Sequence, residues 1–195
     1  MRKIKIFVCT LLLVVSCNYK SNETRSNEDS IKPISNEVLE TSVLYEVNVR
    51  QYSKEGTFSA FTKDIPKLKD LGVKIIWLMP IFPISKTKRK ATGGDFASLI
   101  DDKIVRDKML GSYYAVSDYR KVNPEFGTIE DFRDLIKIAH ENEMYVILDW
   151  VPNHTGWDHS WIKTNPEYYT QNIDGVIIDP INPDNGESWG WQDVA

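Results

Sequence analysis

Cysteine is scarce in this sequence. The 195 residues contain two cysteines, Cys9 and Cys17, and both lie near the start of the chain. From Asn18 onward there is consequently no residue for a disulfide, a thiolate metal site or a thiol nucleophile. We expect stability to come from apolar packing, for which the 42% of hydrophobic residues provide the material.

An excess of positive charge is also absent. Lys and Arg number 24 against 28 Asp and Glu, for a formal net charge of −4. This balance excludes nucleic-acid binding through bulk positive charge, so no nucleic-acid partner is expected. The basic run over residues 86–90 falls in a predicted loop, and we interpret it as solvated surface.

No apolar run at the start of the chain is long enough for a permanent membrane span. Three basic residues, Arg2, Lys3 and Lys5, precede the short apolar run Ile6–Val15, whereas a spanning helix needs about 20 residues. A charged start, a short apolar run and a small residue after it are typical of a secretory signal. We therefore predict a signal peptide over residues 1–16.

The end of this signal resembles a bacterial lipobox. The run is Val14-Val15-Ser16-Cys17, which makes Cys17 the predicted lipidation site; an ordinary signal peptide with a chance cysteine is the alternative. Residues 17–40 are rich in Ser, Asn and charge, and we predict a flexible tether there. The expected location is the bacterial cell envelope, at the outer membrane or cell surface, with a lipid anchor in the membrane and a folded domain over residues 41–195.

Strand and helix patterns alternate from Val43 onward. The β-branched and aromatic run Val43–Val49 predicts a first strand. A helix is predicted between Thr57 and Gly72, with Pro66 marking a kink or a restart. The second strand, Val73–Met79, is apolar on both faces, which is typical of a parallel sheet covered by helices.

A helix capped by Thr128 leads to a third strand over Met144–Leu148, which we expect to be buried. The helix-to-strand connections are short, whereas the strand-to-helix connections are long, over about residues 80–127 and after Asp149. This asymmetry favours a parallel β/α barrel, whose functional loops follow the strands. A doubly wound open sheet is the alternative, but no Gly-rich phosphate loop follows the first strand.

Polar side chains are concentrated directly after the third strand, in the run Asp149-Trp150-Val151-Pro152-Asn153-His154-Thr155. It resembles the first sequence region of the α-amylase family, glycoside hydrolase family thirteen, whose pattern is Asp, any, Val, any, Asn, His. Three earlier segments also resemble the family in order, and they are Tyr45–Val47, Leu68–Phe82 and Gly111–Thr128. The resemblance covers about residues 43–195.

The resemblance implies an α/β fold that is the N-terminal portion of a (β/α)8 TIM barrel, with about three of its eight strands. It implies an α-glucan or maltooligosaccharide as the substrate. In family terms, His154 hydrogen-bonds the sugar at the cleavage subsite, Tyr114 stacks on that sugar, and Asp149 organises the site through hydrogen bonds. Asn153 corresponds to a ligand or neighbour of a structural calcium, a cation that favours oxygen ligands.

The resemblance also implies what this sequence lacks. The family cleaves α-glucosidic bonds with retention, using an aspartate nucleophile in an Arg-x-Asp context after the fourth strand and a glutamate acid/base after the fifth. Neither context is present, so no catalytic residue is assigned in this chain, and both are expected after Ala195. The chain is then part of an α-glucan hydrolase; the alternative is a non-catalytic glucan-binding or inactive truncated relative. The order of the motifs disfavours an unrelated parallel α/β protein.

Overall fold

The structure is a computed structural model and describes residues 33–93, 95–190 and 193–194. The predicted signal peptide, Cys17 and the tether up to residue 32 lie outside the described residues. The helices and strands are, in chain order, α1 (Asn36–Thr41), β1 (Val43–Val47), α2 (Val49–Tyr52), α3 (Phe58–Thr62), α4 (Ile65–Asp70), β2 (Val73–Leu78), α5 (Lys103–Asp107), α6 (Ile129–Glu141), β3 (Tyr145–Leu148) and α7 (Trp161–Thr164). None of the helices in these ranges is long and apolar enough to cross a membrane.

The three strands form one parallel sheet in the order β1-β2-β3. The register aligns Val47 of β1 with Leu78 of β2, and Leu78 with Leu148 of β3. Parallel neighbours require crossover connections, and the helices between the strands supply them. The predicted α/β class with a parallel sheet is confirmed.

The single helix predicted between Thr57 and Gly72 is divided into α3 and α4. The Thr57 hydroxyl caps α3 by accepting a hydrogen bond from the backbone N–H of Ala60 at 3.3 Å. Pro66 lies in the first turn of α4, where its missing N–H costs no helical hydrogen bond. Pro66 therefore marks a restart, and Gly72 follows α4 with a left-handed φ of 84°.

Helix α6 begins at the predicted cap. The Thr128 hydroxyl accepts from the N–H of Asp131 at 3.2 Å, while the Asp131 carboxylate accepts from the N–H of Thr128 at 2.7 Å. This reciprocal pair is a capping box. The buried residues of α6, Phe132, Leu135 and Ala139, belong to the core that packs against the sheet.

The apolar core is shared by β1, β2, α3, α4 and α6. Its fully buried side chains include Phe58, Phe61, Ile65, Ile76, Leu78 and Leu135. The central strand β2 is well covered, but β3 is not: Ile147 is 42% exposed and Leu148 is 40% exposed. The prediction of a buried third strand is wrong for these two residues, because the described helices and loops leave their side chains partly uncovered.

Regular structure begins earlier than predicted and β1 ends earlier. Helix α1 occupies the end of the predicted 17–40 tether, where the Ser35 hydroxyl accepts from the N–H of Val38 at 3.2 Å. This cap is a local polar contact, and α1 buries none of its residues. Strand β1 ends at Val47 because Val49 already starts the short helix α2.

Candidate functional site

The carboxyl ends of β2 and β3 lead into two long loops that contact each other. We call residues 79–128 the β2 loop and residues 149–194 the β3 loop. The N–H of Gly156 in the β3 loop donates to the carbonyl oxygen of Val116 in the β2 loop at 2.8 Å. A Cβ at Gly156 would lie 2.4 Å from the Cβ of Ser85, so the approach of the two loops requires glycine there.

Polar and charged groups make a second connection between the loops. The Asp158 carboxylate accepts hydrogen bonds from the backbone N–H of Lys86 at 2.7 Å and of Thr87 at 3.2 Å. The Nζ atom of Lys88 lies 3.3 Å from the centroid of the Trp157 ring, within the range of a cation–π interaction. The side chains of Lys86 and Lys88 belong to exposed residues, as predicted, but this segment also joins the two loops.

A cleft of roughly 470 Å³ opens where the two loops meet. The described residues that line it are Lys90, Ser112, Tyr114, Asn153, His154, Gly190 and Asp193. Polar groups in a concave site at the carboxyl ends of parallel strands are the usual setting for ligand binding in barrel proteins. The cleft brings together Tyr114 and His154, which are 40 positions apart in the sequence.

Tyr114 and Asp149 form a direct hydrogen bond at this edge of the sheet. The Tyr114 hydroxyl donates to Oδ2 of Asp149 at 3.0 Å. The backbone of Asp149 is held in turn, because its N–H donates to the carbonyl oxygen of Leu78 in β2 at 2.9 Å. Burial and the Asp149 carboxylate raise the pKa of the Tyr114 hydroxyl, so this group stays a protonated donor near neutral pH.

His154 is held from its backbone and from its ring. Its carbonyl oxygen accepts from the Tyr119 hydroxyl at 2.9 Å, Nδ1 lies 2.9 Å from Oδ1 of Asn153, and Nε2 lies 3.8 Å from Oδ2 of Asp193. The side chain is 14% exposed. Burial lowers the pKa of His154 and outweighs the opposite effect of the Asp193 carboxylate. A neutral imidazole, with one donor and one acceptor, suits an uncharged hydroxyl ligand.

Two residues of the cleft have no role in the sequence-based prediction. Lys90 is interpreted there as part of a solvated basic run, and Asp193 is assigned no function. In the structure, Nζ of Lys90 lies 3.2 Å from Oδ2 of Asp193, whose side chain is 8% exposed. These residues are 103 positions apart, so no local pattern links them.

The calcium ligand predicted at Asn153 lies beside the His154 ring. Calcium takes six to eight oxygen ligands, but Oδ1 of Asn153 already contacts the His154 ring. Across the part of the chain that the structure describes, no group of three or more His, Cys, Asp or Glu side chains is arranged to hold a metal ion. The predicted calcium ligand at Asn153 therefore stays a sequence-based prediction, and no chemical step is derived through a metal.

Comparisons with known proteins agree with the fold. A family model described as the catalytic domain of alpha amylase matches residues 19–183. The chain is 26% identical to an α-glucosidase of Apis mellifera over 83% of this chain and 28% of that protein. It is 31% identical to an α-1,4-glucan:maltose-1-phosphate maltosyltransferase of Myxococcus xanthus over 73% of this chain and 21% of the relative.

Solved structures give the same result. An α-amylase from Lactobacillus plantarum superposes with a TM-score of 0.62 and 39% identity, over 78% of this chain and 31% of that chain. A noncanonic maltogenic α-amylase from Thermotoga neapolitana superposes with a TM-score of 0.57 and 34% identity, over 69% of this chain and 28% of the other. The chain spans less than a third of each of these proteins, in agreement with the N-terminal portion of a TIM barrel. This chain belongs to the α-amylase family of glycoside hydrolases.

Proposed function

We propose that this chain supplies the sugar-binding, N-terminal part of an α-glucan-degrading glycoside hydrolase. The observation that carries the proposal is the convergence of Tyr114, Asp149 and His154, which are predicted site residues, at the rim of the β2 and β3 loops. The α-glucosidase and α-amylase names among the relatives support an α-glucosidic substrate.

The side chains of the cleft match the chemistry of a sugar. A glucose unit offers an apolar ring face and several hydroxyl groups that both donate and accept hydrogen bonds. The Tyr114 ring provides an aromatic surface whose position is set by its bond to Asp149. The largely buried His154 imidazole provides one donor and one acceptor when neutral. Together these groups bind and orient a neutral sugar at the end of the sheet.

The proposal assigns no nucleophile and no acid/base to this chain. Retaining glycosidases use two carboxyl groups about 5–5.5 Å apart, and the family pattern has them after a fourth and a fifth strand. At the cleft, the Asp149 carboxylate accepts from Tyr114 and the Asp193 carboxylate pairs with Lys90. We therefore expect the 195-residue chain to bind maltooligosaccharides without hydrolysing them.

Calorimetric titration of the purified 195-residue chain with maltotriose tests the binding. His154→Ala should weaken binding by roughly tenfold, the effect of losing a well-placed hydrogen bond in a partly buried site. His140→Ala, in the last turn of α6, removes the same side chain away from the cleft and should bind like the parent. Equal affinities for the two variants, or no binding by the parent, would contradict the proposal.

Whether this binding contributes to hydrolysis is a separate question. The coding sequence that follows Ala195 answers it, because a fourth strand with an Arg-x-Asp motif supports a hydrolase. A stop codon there supports the alternative of a glucan-binding relative without catalysis. Release of reducing sugar by the purified 195-residue chain itself would show that this chain contains catalytic carboxylates.

We also propose that the protein is exported and anchored in the bacterial envelope through a lipid on Cys17. Support comes from the sequence Val14-Val15-Ser16-Cys17, which lies outside the described residues. Globomycin, which inhibits the lipoprotein signal peptidase, should cause the precursor to accumulate. Cys17→Ser should lose label from a radioactive fatty acid, and retained label in this variant would contradict the anchor.

A further inference from the structure

The cleft contains one pair of opposite charges among its described lining residues. Lys90 enters from the β2 loop and Asp193 from the β3 loop, and their Nζ and Oδ2 atoms are 3.2 Å apart. The other described lining residues are Ser112, Tyr114, Asn153, His154 and Gly190, none of which carries a charge at pH 8. The net charge of this lining is therefore set by Lys90 and Asp193 alone.

Both members of the pair keep hydrogen-bonding capacity that a ligand can use. An ammonium group has three donors, and the Asp193 carboxylate is the one described side-chain partner of Lys90 Nζ. On Asp193, Oδ2 meets Lys90 and lies near His154, while Oδ1 makes no hydrogen bond within the described residues. The pair thus presents donors and an acceptor side by side, as a sugar hydroxyl requires.

The burial of the pair makes its charge balance important. The Lys90 side chain is 31% exposed and that of Asp193 is 8% exposed, so solvent screens the two charges less than it screens an exposed ion pair. A lysine without its carboxylate in this position would attract a phosphate oxygen as a point charge. With the carboxylate at 3.2 Å, the ammonium is already neutralised, and an added phosphate would also meet the negative charge of Asp193.

We propose that Asp193 neutralises Lys90 and thereby makes the cleft select an uncharged sugar over a phosphorylated one. The inference rests on the proposed sugar-binding function and adds a specificity-determining pair to it. Lys90 and Asp193 contact the sugar hydroxyls directly, and Asp193 also fixes the ammonium on the side of the cleft next to His154.

Maltose and α-maltose 1-phosphate provide the matched probes, because they differ only in the phosphate. Their affinities are measured by calorimetric titration of the 195-residue chain at about pH 8, where an ordinary histidine is neutral. Asp193→Asn, Lys90→Met and the double variant change the charge of the cleft by one positive unit, one negative unit and none. Glu130→Gln is the matched control, since it breaks an exposed ion pair with Arg133 on α6.

In Asp193→Asn, the ratio of phosphorylated-sugar affinity to maltose affinity should rise by roughly tenfold, as expected for one partly screened charge at close range. Lys90→Met should lower this ratio, and the double variant should return it toward the parent value. Glu130→Gln should leave it unchanged. Inorganic phosphate should compete with the phosphorylated sugar in Asp193→Asn, which separates recognition of the phosphate from recognition of the sugar.

The outcomes separate this inference from the function on which it rests. If the parent binds maltose but Asp193→Asn leaves the affinity ratio unchanged, the specificity role of Asp193 is wrong and sugar binding stands. The same holds if Lys90→Met and Asp193→Asn shift the ratio in the same direction. If the parent binds neither sugar while its near-ultraviolet circular dichroism shows a folded chain, the proposed function and this inference both fail.

Discussion

The apolar core and the cleft of this protein are held together by different kinds of contact. In the core, Phe58, Ile76 and Leu135 are fully buried and touch many apolar neighbours. In the cleft, the arrangement depends on a few directional contacts, such as the bond between Tyr114 and Asp149. Burial energy is spread over a large area, whereas a polar contact is lost when one atom moves. Core changes should therefore alter stability, and cleft changes should alter ligand binding.

The largest expected effect is a loss of stability when a side chain of the apolar core is truncated. Phe58 is fully buried, and its ring centroid lies 5.7 Å from that of Phe126 and 5.4 Å from that of Phe132. Phe58→Ala leaves a cavity between α3 and α6 and should lower the free energy of unfolding by about 3–5 kcal/mol. Urea denaturation followed by tryptophan fluorescence measures this loss. The strongest possible outcome is a variant without a cooperative unfolding transition.

Leu71→Ala serves as the control for Phe58→Ala. Leu71 is 74% exposed at the end of α4, so its truncation should change the free energy of unfolding by less than about 0.5 kcal/mol. If the two variants are equally stable, α3 does not pack against α6 as described.

The next effect concerns the contact between the two loops. A Cβ at position 156 would lie 2.4 Å from the Cβ of Ser85 and 2.8 Å from the carbonyl oxygen of Ala115. Gly156→Ala should therefore force the β2 and β3 loops apart, at a cost of about 1–3 kcal/mol. Because the cleft forms where the loops meet, maltotriose binding should be lost along with this stability.

Adding Ser85→Gly to Gly156→Ala tests whether the close contact with Ser85 causes the loss of stability and binding. Removing the Ser85 side chain relieves the shorter of the two contacts, so the double variant should regain part of the thermal stability and of the affinity. A Gly156→Ala protein with parental melting temperature and affinity would show that the loops do not meet at this residue.

The same contrast explains which parts of the fold were predictable from the sequence. Helix ends carry their signals locally: Thr128 caps the helix that follows it, and Gly72 takes the left-handed conformation that ends α4. The apolar run of β2 indicates a buried strand of a parallel sheet, and β2 is one. The predictions of the helix ends hold because each depends on neighbours within a few residues.

The parts that were not predictable depend on distant residues. The sequence of β3 is as apolar as that of β2, yet Ile147 and Leu148 are partly exposed, since burial depends on what covers a strand and not on its own residues. The Lys90–Asp193 pair joins two loops far apart in sequence, and a basic run gives no sign of it. By contrast, Tyr114 and Asp149 were predicted as site residues through a family resemblance and not through spacing, and the structure brings them within hydrogen-bond distance.

A smaller effect, on ligand affinity, is expected at Tyr114 in the cleft. Tyr114→Phe keeps the ring but removes the hydroxyl that donates to Asp149 at 3.0 Å. Losing one such bond costs about 0.5–1.5 kcal/mol, which we expect to appear as a several-fold weaker affinity for maltotriose with a nearly unchanged melting temperature. Tyr168→Phe is the control, because Tyr168 is 62% exposed and its hydroxyl has no hydrogen-bond partner in the described ranges. A stability loss in Tyr114→Phe without any change in affinity would show that the Tyr114 hydroxyl supports the fold and not ligand binding.

The smallest expected effect concerns Asp131, which makes polar contacts at the edge of the core. The pKa of the Asp131 carboxyl is lowered by hydrogen bonds from the backbone N–H and the hydroxyl of Thr128, and from the hydroxyl of Ser59. A lowered pKa in the folded state gives stability that is present above the ordinary aspartate value and is lost as pH falls through the folded value.

Asp131→Asn should therefore be less stable than the parent at pH 6, and the difference in melting temperature should shrink toward pH 3. Asp134→Asn makes the same charge change on α6 at an exposed residue outside the cap, and it should retain the parental pH dependence. Maltotriose affinity should be the same in all three proteins at pH 6, because the cap lies at the start of α6 and takes no part in lining the cleft. A constant difference in melting temperature between pH 6 and pH 3 would mean that the carboxylate of Asp131 does not act through its charge.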